Sequence, residues 1–124
     1  MKTVSTEKAP AAIGPYSQAI EVNGIVYTSG MIPAIPETGA IAEGGIAEQA
    51  KQALSNLKNL LEASGSGMDK VIKTTVFIKD MNDFATINEV YATFFQSPYP
   101  SRSCVEVARL PKDVGLEIEA IALK

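Results

Sequence analysis

The chain has 124 residues, of which 46% are hydrophobic and 20% charged, and this composition is that of one ordinary globular domain. Its formal net charge is −3 with the lysines and arginines scattered along the sequence, which disfavours nucleic acid as the partner. Because there is no histidine, a histidine-containing triad or zinc site is excluded, and proton transfer near neutral pH must use a carboxylate, thiol, tyrosine, lysine or water.

Two short strands joined by a tight turn are predicted near the start of the chain. Ala19 to Val22 and Ile25 to Ser29 flank the dipeptide Asn23-Gly24, which favours a two-residue hairpin turn. The glycines and prolines from Gly30 to Gly45 then indicate a long irregular segment. Loops of that length in compact domains are often functional.

Two amphipathic helices and one strand are predicted in the middle of the chain. Apolar residues recur at three- and four-residue intervals from Ile46 to Ala63, and Gly65 follows as a stop signal. The β-branched segment Val71 to Ile78 is typical of a strand covered on at least one face. A second helix begins after the capping residues Asp80 to Asp83. Its apolar stripe consists of Phe84, Ile87, Tyr91, Phe94 and Phe95.

Two more strands are predicted after the breaks at Pro98 and Pro100. They are Ser103 to Val107 and Leu116 to Leu123, separated by the turn-rich segment Leu110 to Gly115. Side chains alternate along a strand, so the last strand has one wholly apolar face and one mixed face. The apolar face consists of Leu116, Ile118, Ala120 and Ala122, and the mixed face of Glu117, Glu119, Ile121 and Leu123.

The order of these elements predicts a single α+β domain over residues 1–124, with both helices on one face of a sheet of five or six strands. The apolar face of the last strand is expected under the helices, which leaves the mixed face open. If the two C-terminal strands pair, Arg102, Cys104 and Glu106 share that open face with Glu117. A chain this short buries only about two-thirds of its unfolded surface, so self-association is plausible.

The sequence also predicts a cytoplasmic location. Met1 to Ala9 lacks a long apolar run, and no stretch approaches the roughly 18 apolar residues of a membrane span. The single cysteine, Cys104, excludes an intrachain disulfide, which fits a reducing compartment.

Four segments of the sequence form a set that covers essentially the whole chain. They are APAAIGPYSQA from Ala9, TSG at Thr28 to Gly30, KTTVFIKDMNDFATINEVY from Lys73, and PSRSCVEVARLPKDVGLEIEAIAL from Pro100. In order and spacing this set resembles the RidA (YjgF-type) family. The one departure is Gln96 to Ser101, which is shorter than in the better-known bacterial members and is expected to reshape the rim of the cleft.

The resemblance implies a chorismate-mutase-like fold with a mixed sheet of about six strands, and a homotrimeric barrel with three clefts at subunit interfaces. It implies hydrolysis of 2-iminobutanoate and 2-iminopropanoate to 2-oxo acids and ammonium, with no cofactor and no metal. Arg102 would bind the substrate carboxylate and Glu117 would act on water. The residues that would line the pocket are Tyr16, Ser29, Gly30, Asn88 and Cys104.

These residue types suit that chemistry. A guanidinium offers a planar fork to a carboxylate and, unlike a lysine amine, cannot form a Schiff base with the substrate. An anchored carboxylate can accept a proton from water and later return one to the leaving ammonia. A backbone amide near Cys104 would supplement the Arg102 clamp, which makes the thiol itself unnecessary to the reaction. Covalent catalysis by the thiol is disfavoured, since no histidine is present to activate it.

Other interpretations of the same residues stay open. A non-enzymatic sensor or chaperone-like module would use the Arg102 clamp for 2-oxo acids but would have little reason to keep Glu117 beside the ligand. Asn88 would equally serve to tie its helix to the sheet, and Tyr16 and Ser29 would equally be loop and strand-end residues. RNA cleavage, a further proposal linked to the family, would need cationic phosphate contacts that the composition does not indicate.

Overall fold

A mixed sheet of six strands carries two helices on one of its faces. The computed structural model describes all 124 residues. The strands are β1 (Lys2–Val4), β2 (Ala19–Val22), β3 (Ile25–Thr28), β4 (Val71–Ile78), β5 (Ser101–Glu106) and β6 (Leu116–Leu123), and the helices are α1 (Ile46–Ala63) and α2 (Phe84–Ala92). Across the sheet the order is β1-β2-β3-β6-β4-β5, in which β4 and β5 are parallel and the other neighbours antiparallel.

The core lies between α1, α2 and one face of the sheet. Along α1 the buried side chains follow the apolar periodicity of the sequence, and the helix ends before Gly65, whose φ of 81° is the left-handed conformation that glycine adopts at low cost. The predicted bounds of α1 are confirmed. The apolar side chains buried along α1 are Ala50, Ala53, Leu54, Leu57, Leu60 and Leu61.

The two central strands contribute alternate residues to this core. Thr74, Val76 and Ile78 of β4 are buried, and in β6 Leu116, Ile118, Ala120 and Ala122 are buried. The predicted apolar face of β6 is therefore confirmed, and Glu117 and Glu119 lie on the opposite face. The β2–β3 hairpin is confirmed as well, with Asn23 and Gly24 both at positive φ, as a type I′ turn requires.

Four elements differ from the predictions, one in its existence and three in their bounds. β1 was not predicted, because three residues are too few to show an alternating pattern. β3 ends one residue early, at Thr28, and β5 covers Ser101–Glu106 in place of Ser103 to Val107. α2 ends at Ala92, so the last two aromatic residues of the predicted stripe lie beyond the helix, although Phe95 is still buried.

The two C-terminal strands do not pair, and the shared open face expected for their polar side chains is wrong. β4 lies between them, pairing with β5 on one side and with β6 on the other. Arg102, Cys104 and Glu106 are in register with the inward-facing residues of β4 and therefore lie on the helix face. Glu117 is in register with Phe77, on the opposite face.

The irregular segment after β3 is tied to the sheet and to α1 at several points. Met31 exchanges two backbone hydrogen bonds with Ile118, at 2.7 and 3.1 Å. Ala34 and Ile41 form an isolated bridge inside the segment. Neither helix combines the length and the apolar composition needed to cross a membrane.

Candidate functional site

Glu117 lines a cavity of about 390 Å³ formed by the segment before β2, the irregular segment and the turn before β6. Its position in β6 aims it away from the core, since its neighbours Leu116 and Ile118 are buried on the other face. The side chain is half-buried and accepts no hydrogen bond from another group of the chain. The cavity is also lined by Tyr16, Gly30 and Lys112.

The surroundings of Glu117 disfavour its charged form. Burial raises the pKa of this carboxyl above its usual range, and the nearby charge of Glu119 raises the pKa further. A carboxyl with a raised pKa that faces a cavity exchanges protons more readily near neutral pH than an exposed one does. Glu117 is therefore suited to act as a general base or acid.

The absence of a side chain at Gly30 leaves the space that the Glu117 carboxylate occupies. A Cβ atom at position 30 would lie 2.6 Å from Oε2 of Glu117, a distance that real Cβ atoms do not show. The close approach therefore requires glycine for its lack of a side chain, since the φ of Gly30 is not in the left-handed region. The prediction that Gly30 lines the same pocket as Glu117 is in accord with this contact.

Tyr16 and Ser29 differ in what they contact. Tyr16 is half-exposed and lines the Glu117 cavity. Ser29 donates a hydrogen bond from Oγ to the backbone oxygen of Ser17 at 2.7 Å, and its N–H donates to the backbone oxygen of Gln18. In this structure Ser29 anchors the loop that carries Tyr16.

Two buried amides hold the cavity walls, and the sequence prediction missed both. Asn56 of α1 donates from Nδ2 to the backbone oxygens of Ile32 and Ala34, at 3.0 and 2.8 Å. Gln18 accepts from the N–H of Thr6 and donates to the backbone oxygen of Pro10. A signal was available for Asn56, because it falls within the buried stripe of α1, where a polar side chain must find partners.

Arg102 belongs to a second cluster, at the edge of the sheet. Its Nη1 donates a hydrogen bond to Oδ1 of Asn88 at 2.7 Å, and its Cζ lies 4.7 Å from the centre of the Tyr91 ring. The cluster opens into a cavity of about 460 Å³ that is also lined by Tyr99 and Pro100. Because Arg102 is exposed and most of its N–H groups are free, the guanidinium is available to an anion.

Cys104 is next to this cluster, on the same face of β5. The thiol is half-buried against the core, and burial raises its pKa, although the charge of Arg102 opposes that effect. A raised pKa keeps sulfur in the protonated, weakly nucleophilic form. Cys104 therefore has the surroundings of a packing residue.

The predicted site residues thus form two groups within one chain. Glu117, Gly30 and Tyr16 line one cavity, and Arg102 and Asn88 line another. The two cavities share no residue, and β4 separates the strands that carry Glu117 and Arg102. A ligand that contacts both groups would need a second copy of the chain to bring them together.

The chain is similar to proteins of one family along nearly its whole length. A family model described as Endoribonuclease L-PSP matches residues 6–124. A Salmonella typhimurium protein named 2-iminobutanoate/2-iminopropanoate deaminase is 56% identical, over 99% of this chain and 98% of the relative. The Escherichia coli protein of the same name is 53% identical, with the same coverage.

A solved structure is equally similar. The crystal structure of E. coli TdcF with bound serine superposes with a TM-score of 0.95 at 53% identity, covering 100% of this chain and 99% of that one. The strand order and helix placement described above are therefore those of an experimentally determined fold.

Proposed function

The chain belongs to the Endoribonuclease L-PSP family, which is the RidA (YjgF-type) family of the sequence resemblance, and from this we propose that it is a 2-iminobutanoate/2-iminopropanoate deaminase. The observation that carries the proposal is identity above 50%, along nearly the whole chain, to relatives bearing that name. The serine bound in the TdcF structure supports a site for small amino-acid-like molecules in that relative.

In the proposed reaction Arg102 binds the substrate carboxylate through a planar, bidentate pair of hydrogen bonds. This contact fixes C2 of the imino acid, so that a water molecule held by Glu117 is aimed at that carbon. The first step forms the bond between the water oxygen and C2. The electron pair of the carbon–nitrogen double bond moves to nitrogen, which takes up a proton from solvent, while Glu117 accepts the proton that the attacking water loses.

The second step releases ammonia. Glu117 returns its proton to the amino nitrogen of the tetrahedral intermediate, the carbon–nitrogen bond breaks, and the hydroxyl on C2 becomes the carbonyl of the 2-oxo acid. The hydroxyl proton leaves to water or to Glu117, and the products are a 2-oxo acid and ammonium. The steps are one addition, one elimination and the proton transfers that accompany them, so residues of the chain and water are sufficient, without metal or cofactor.

We further propose that the active unit is a homotrimer with a chorismate-mutase-like arrangement, in which each site combines Glu117, Gly30 and Tyr16 of one subunit with Arg102, Asn88 and Cys104 of its neighbour. The separation of the two groups within one chain supports this proposal. So does the mixed apolar and acidic face of β6, which no helix of the same chain covers and on which Glu119 and Leu123 are exposed. A cytoplasmic location stays a prediction, supported by the single free cysteine.

The test is ammonia-coupled turnover of 2-iminobutanoate, generated in situ from threonine by a dehydratase. Wild type should accelerate ammonia release, and Glu117→Gln should slow kcat by about 100-fold or more, because the general base is lost. Arg102→Ala should raise KM by roughly 10- to 100-fold through the loss of charge-assisted hydrogen bonds.

The same variants separate catalysis from binding. If Glu117→Gln still binds 2-oxobutanoate in calorimetry but does not turn over, the enzyme is supported over the non-enzymatic binding module. An absence of acceleration by wild type, with 2-oxobutanoate binding intact, would favour the binding module.

RNA cleavage is the activity that the family description names, and the charges of this chain disfavour it. The net charge is −3, and the cavity beside Glu117 holds a single lysine, Lys112. Phosphate backbones are bound by clusters of cations, which these cavities lack. A radiolabelled RNA should stay intact during incubation with nuclease-free protein.

A further inference from the structure

Two aromatic side chains of α2 lie beneath the guanidinium of Arg102. Its Cζ is 4.7 Å from the centre of the Tyr91 ring and 5.5 Å from that of Phe84. Both distances fall within the range of a cation–π interaction. Asn88, which accepts from Nη1 of Arg102, lies between the two on the same helix face, because residues spaced by three and four positions are neighbours on a helix.

The Tyr91 ring is itself held in place from below. Its hydroxyl shares a hydrogen bond of 2.8 Å with Oγ1 of Thr74, a fully buried residue of β4. The ring also packs against Phe95, with 4.5 Å between ring centres. Thr74 is in register with Arg102 on the neighbouring strand, so it supports the ring that lies next to the arginine.

We propose that Tyr91 and Thr74 are positioning residues for the substrate carboxylate. Thr74 fixes the Tyr91 ring, and the ring holds the Arg102 guanidinium in one orientation, with its free N–H groups directed at the ligand. A long side chain that is ordered before the ligand arrives loses less rotamer freedom on binding. This inference rests on the proposed role of Arg102 as the carboxylate ligand.

The aromatic contact also explains why neither a lysine nor a mobile arginine at position 102 would bind the substrate carboxylate as well. Planar guanidinium stacks on a ring and still presents its edge to a carboxylate, whereas an ammonium does not present a fork. Asn88 occupies one of the five N–H donors of Arg102, which leaves enough for a bidentate contact.

The experiment compares Tyr91→Leu, Tyr91→Phe and Thr74→Val for KM, kcat and the Kd of 2-oxobutanoate. Tyr91→Leu should raise KM and Kd roughly tenfold with kcat within about twofold of wild type, because the cation–π contact is lost. Tyr91→Phe retains the ring, so its KM and Kd should lie within about threefold of the wild-type values. Thr74→Val should raise KM and Kd by the same amount as Tyr91→Phe. The double variant Tyr91→Phe/Thr74→Val should show no larger rise than either single variant, because both substitutions remove the same hydrogen bond.

Ile87→Ala is the matched control. It removes a buried apolar side chain from the same helix, and the Ile87 side chain makes no hydrogen bond or aromatic contact with Tyr91 or Arg102, so the variant should lower the melting temperature with KM unchanged. If Ile87→Ala raises KM as much as Tyr91→Leu does, the effect is general loosening of the helix and the proposal is overturned.

A double-mutant comparison isolates the route through Arg102. In an Arg102→Ala background, Tyr91→Leu should cause no further rise in Kd, whereas an equal further rise would show that Tyr91 acts independently of Arg102. If Tyr91→Leu does not fold, Tyr91→Phe and Thr74→Val carry the test. If wild type binds 2-oxobutanoate but does not turn over the imino acid, the deaminase proposal is contradicted, and the Kd comparison still decides the positioning role. If wild type does not bind 2-oxobutanoate, the deaminase proposal and the positioning role are both overturned.

Discussion

At the scale of single residues, the site depends on how closely the Glu117 carboxylate approaches the backbone at Gly30. The side chain is half-buried without a hydrogen-bond donor from its own chain, an arrangement that disfavours its charged form. Such a cost is typical of groups retained for chemistry, because a carboxyl on the surface would be more stable but less basic.

We expect Gly30→Ala to lower the activity of the protein without unfolding it. The new Cβ would lie 2.6 Å from Oε2 of Glu117. The far end of a flexible side chain moves more easily than a strand, so the carboxylate should swing out of position and kcat should fall by about tenfold or more. A melting temperature close to that of wild type, measured beside ammonia release, would show that the loss is local, and full activity would contradict the assignment.

The acid limb of the pH profile tests the electrostatics of Glu117. Its carboxyl accepts a proton only when ionised, so activity should fall as the pH drops through its raised pKa. Glu119 contributes to that raised pKa, and Glu119→Gln should therefore lower the pKa and extend kcat/KM toward lower pH.

The control for that profile is Glu43→Gln, which removes an exposed carboxylate outside the cavity lining and should leave the acid limb in place. A limb that stays in place in Glu119→Gln, or that moves to higher pH, would show that the group titrating in the profile is not Glu117.

At the scale of elements, α1 has a second role besides covering the sheet, since Asn56 fastens the irregular segment that forms the cavity wall. Both hydrogen bonds of its amide nitrogen go to backbone oxygens 22 to 24 residues earlier in the chain. The cavity beside Glu117 therefore depends on a helix that contributes no lining residue to it.

Asn56→Ala should lower the free energy of unfolding by about 2–4 kcal/mol, because it leaves the carbonyls of Ile32 and Ala34 without their donor in a buried setting. Asn59→Ala is the matched control on the same helix. It removes an exposed hydrogen bond to Lys8 and should cost less than about 1 kcal/mol. Urea unfolding of both variants makes the comparison, and equal losses would contradict the clamp.

The sequence predicted those helices and strands whose residue pattern can be seen within the element itself. The bounds of α1 and β6 followed from spacing, as did the buried face of β6, and those of β4 followed from its run of β-branched residues. The face occupied by Arg102 could not be predicted in that way, because alternation shows which residues of a strand share a face but not how that face relates to a distant strand. That relation depends on the strand order, in which β4 lies between β5 and β6.

Long-range polar partners were also beyond the sequence. Asn56 stands out as a polar residue within an apolar stripe, yet nothing in the spacing identifies Ile32 and Ala34 as its acceptors. The roles proposed for Arg102 and Glu117 came from the family resemblance, and the structure adds the surroundings of each: aromatic rings for one and a glycine contact for the other.

At the scale of the whole molecule, the two groups of site residues occupy different cavities, and the proposed assembly joins them between copies. Subunit mixing tests this directly. Assayed at a substrate concentration below the wild-type KM, Arg102→Ala and Glu117→Gln should each retain at most about a tenth of wild-type activity. Refolded together in equal amounts they should recover about a quarter of wild-type activity, because one site in four then pairs an intact Glu117 with an intact Arg102 from its neighbour.

The control is each variant refolded alone by the same procedure. Sedimentation should give a trimer for both variants and for their mixture. Mixtures without recovered activity, from subunits that do exchange, would place both residues of the site in one chain. A monomer at micromolar concentration would contradict the assembly altogether.

The alternation along β6 has a consequence for how this protein can change. The same strand supplies buried Leu116 and Ile118 to the core and half-buried Glu117 to the cavity between them. Inserting or deleting one residue within β6 would exchange the two faces on one side of the change, driving a carboxylate under the helices and apolar side chains onto the opposite face. Relatives that evolve new substrates should therefore vary the length of the irregular segment and keep the length of this strand.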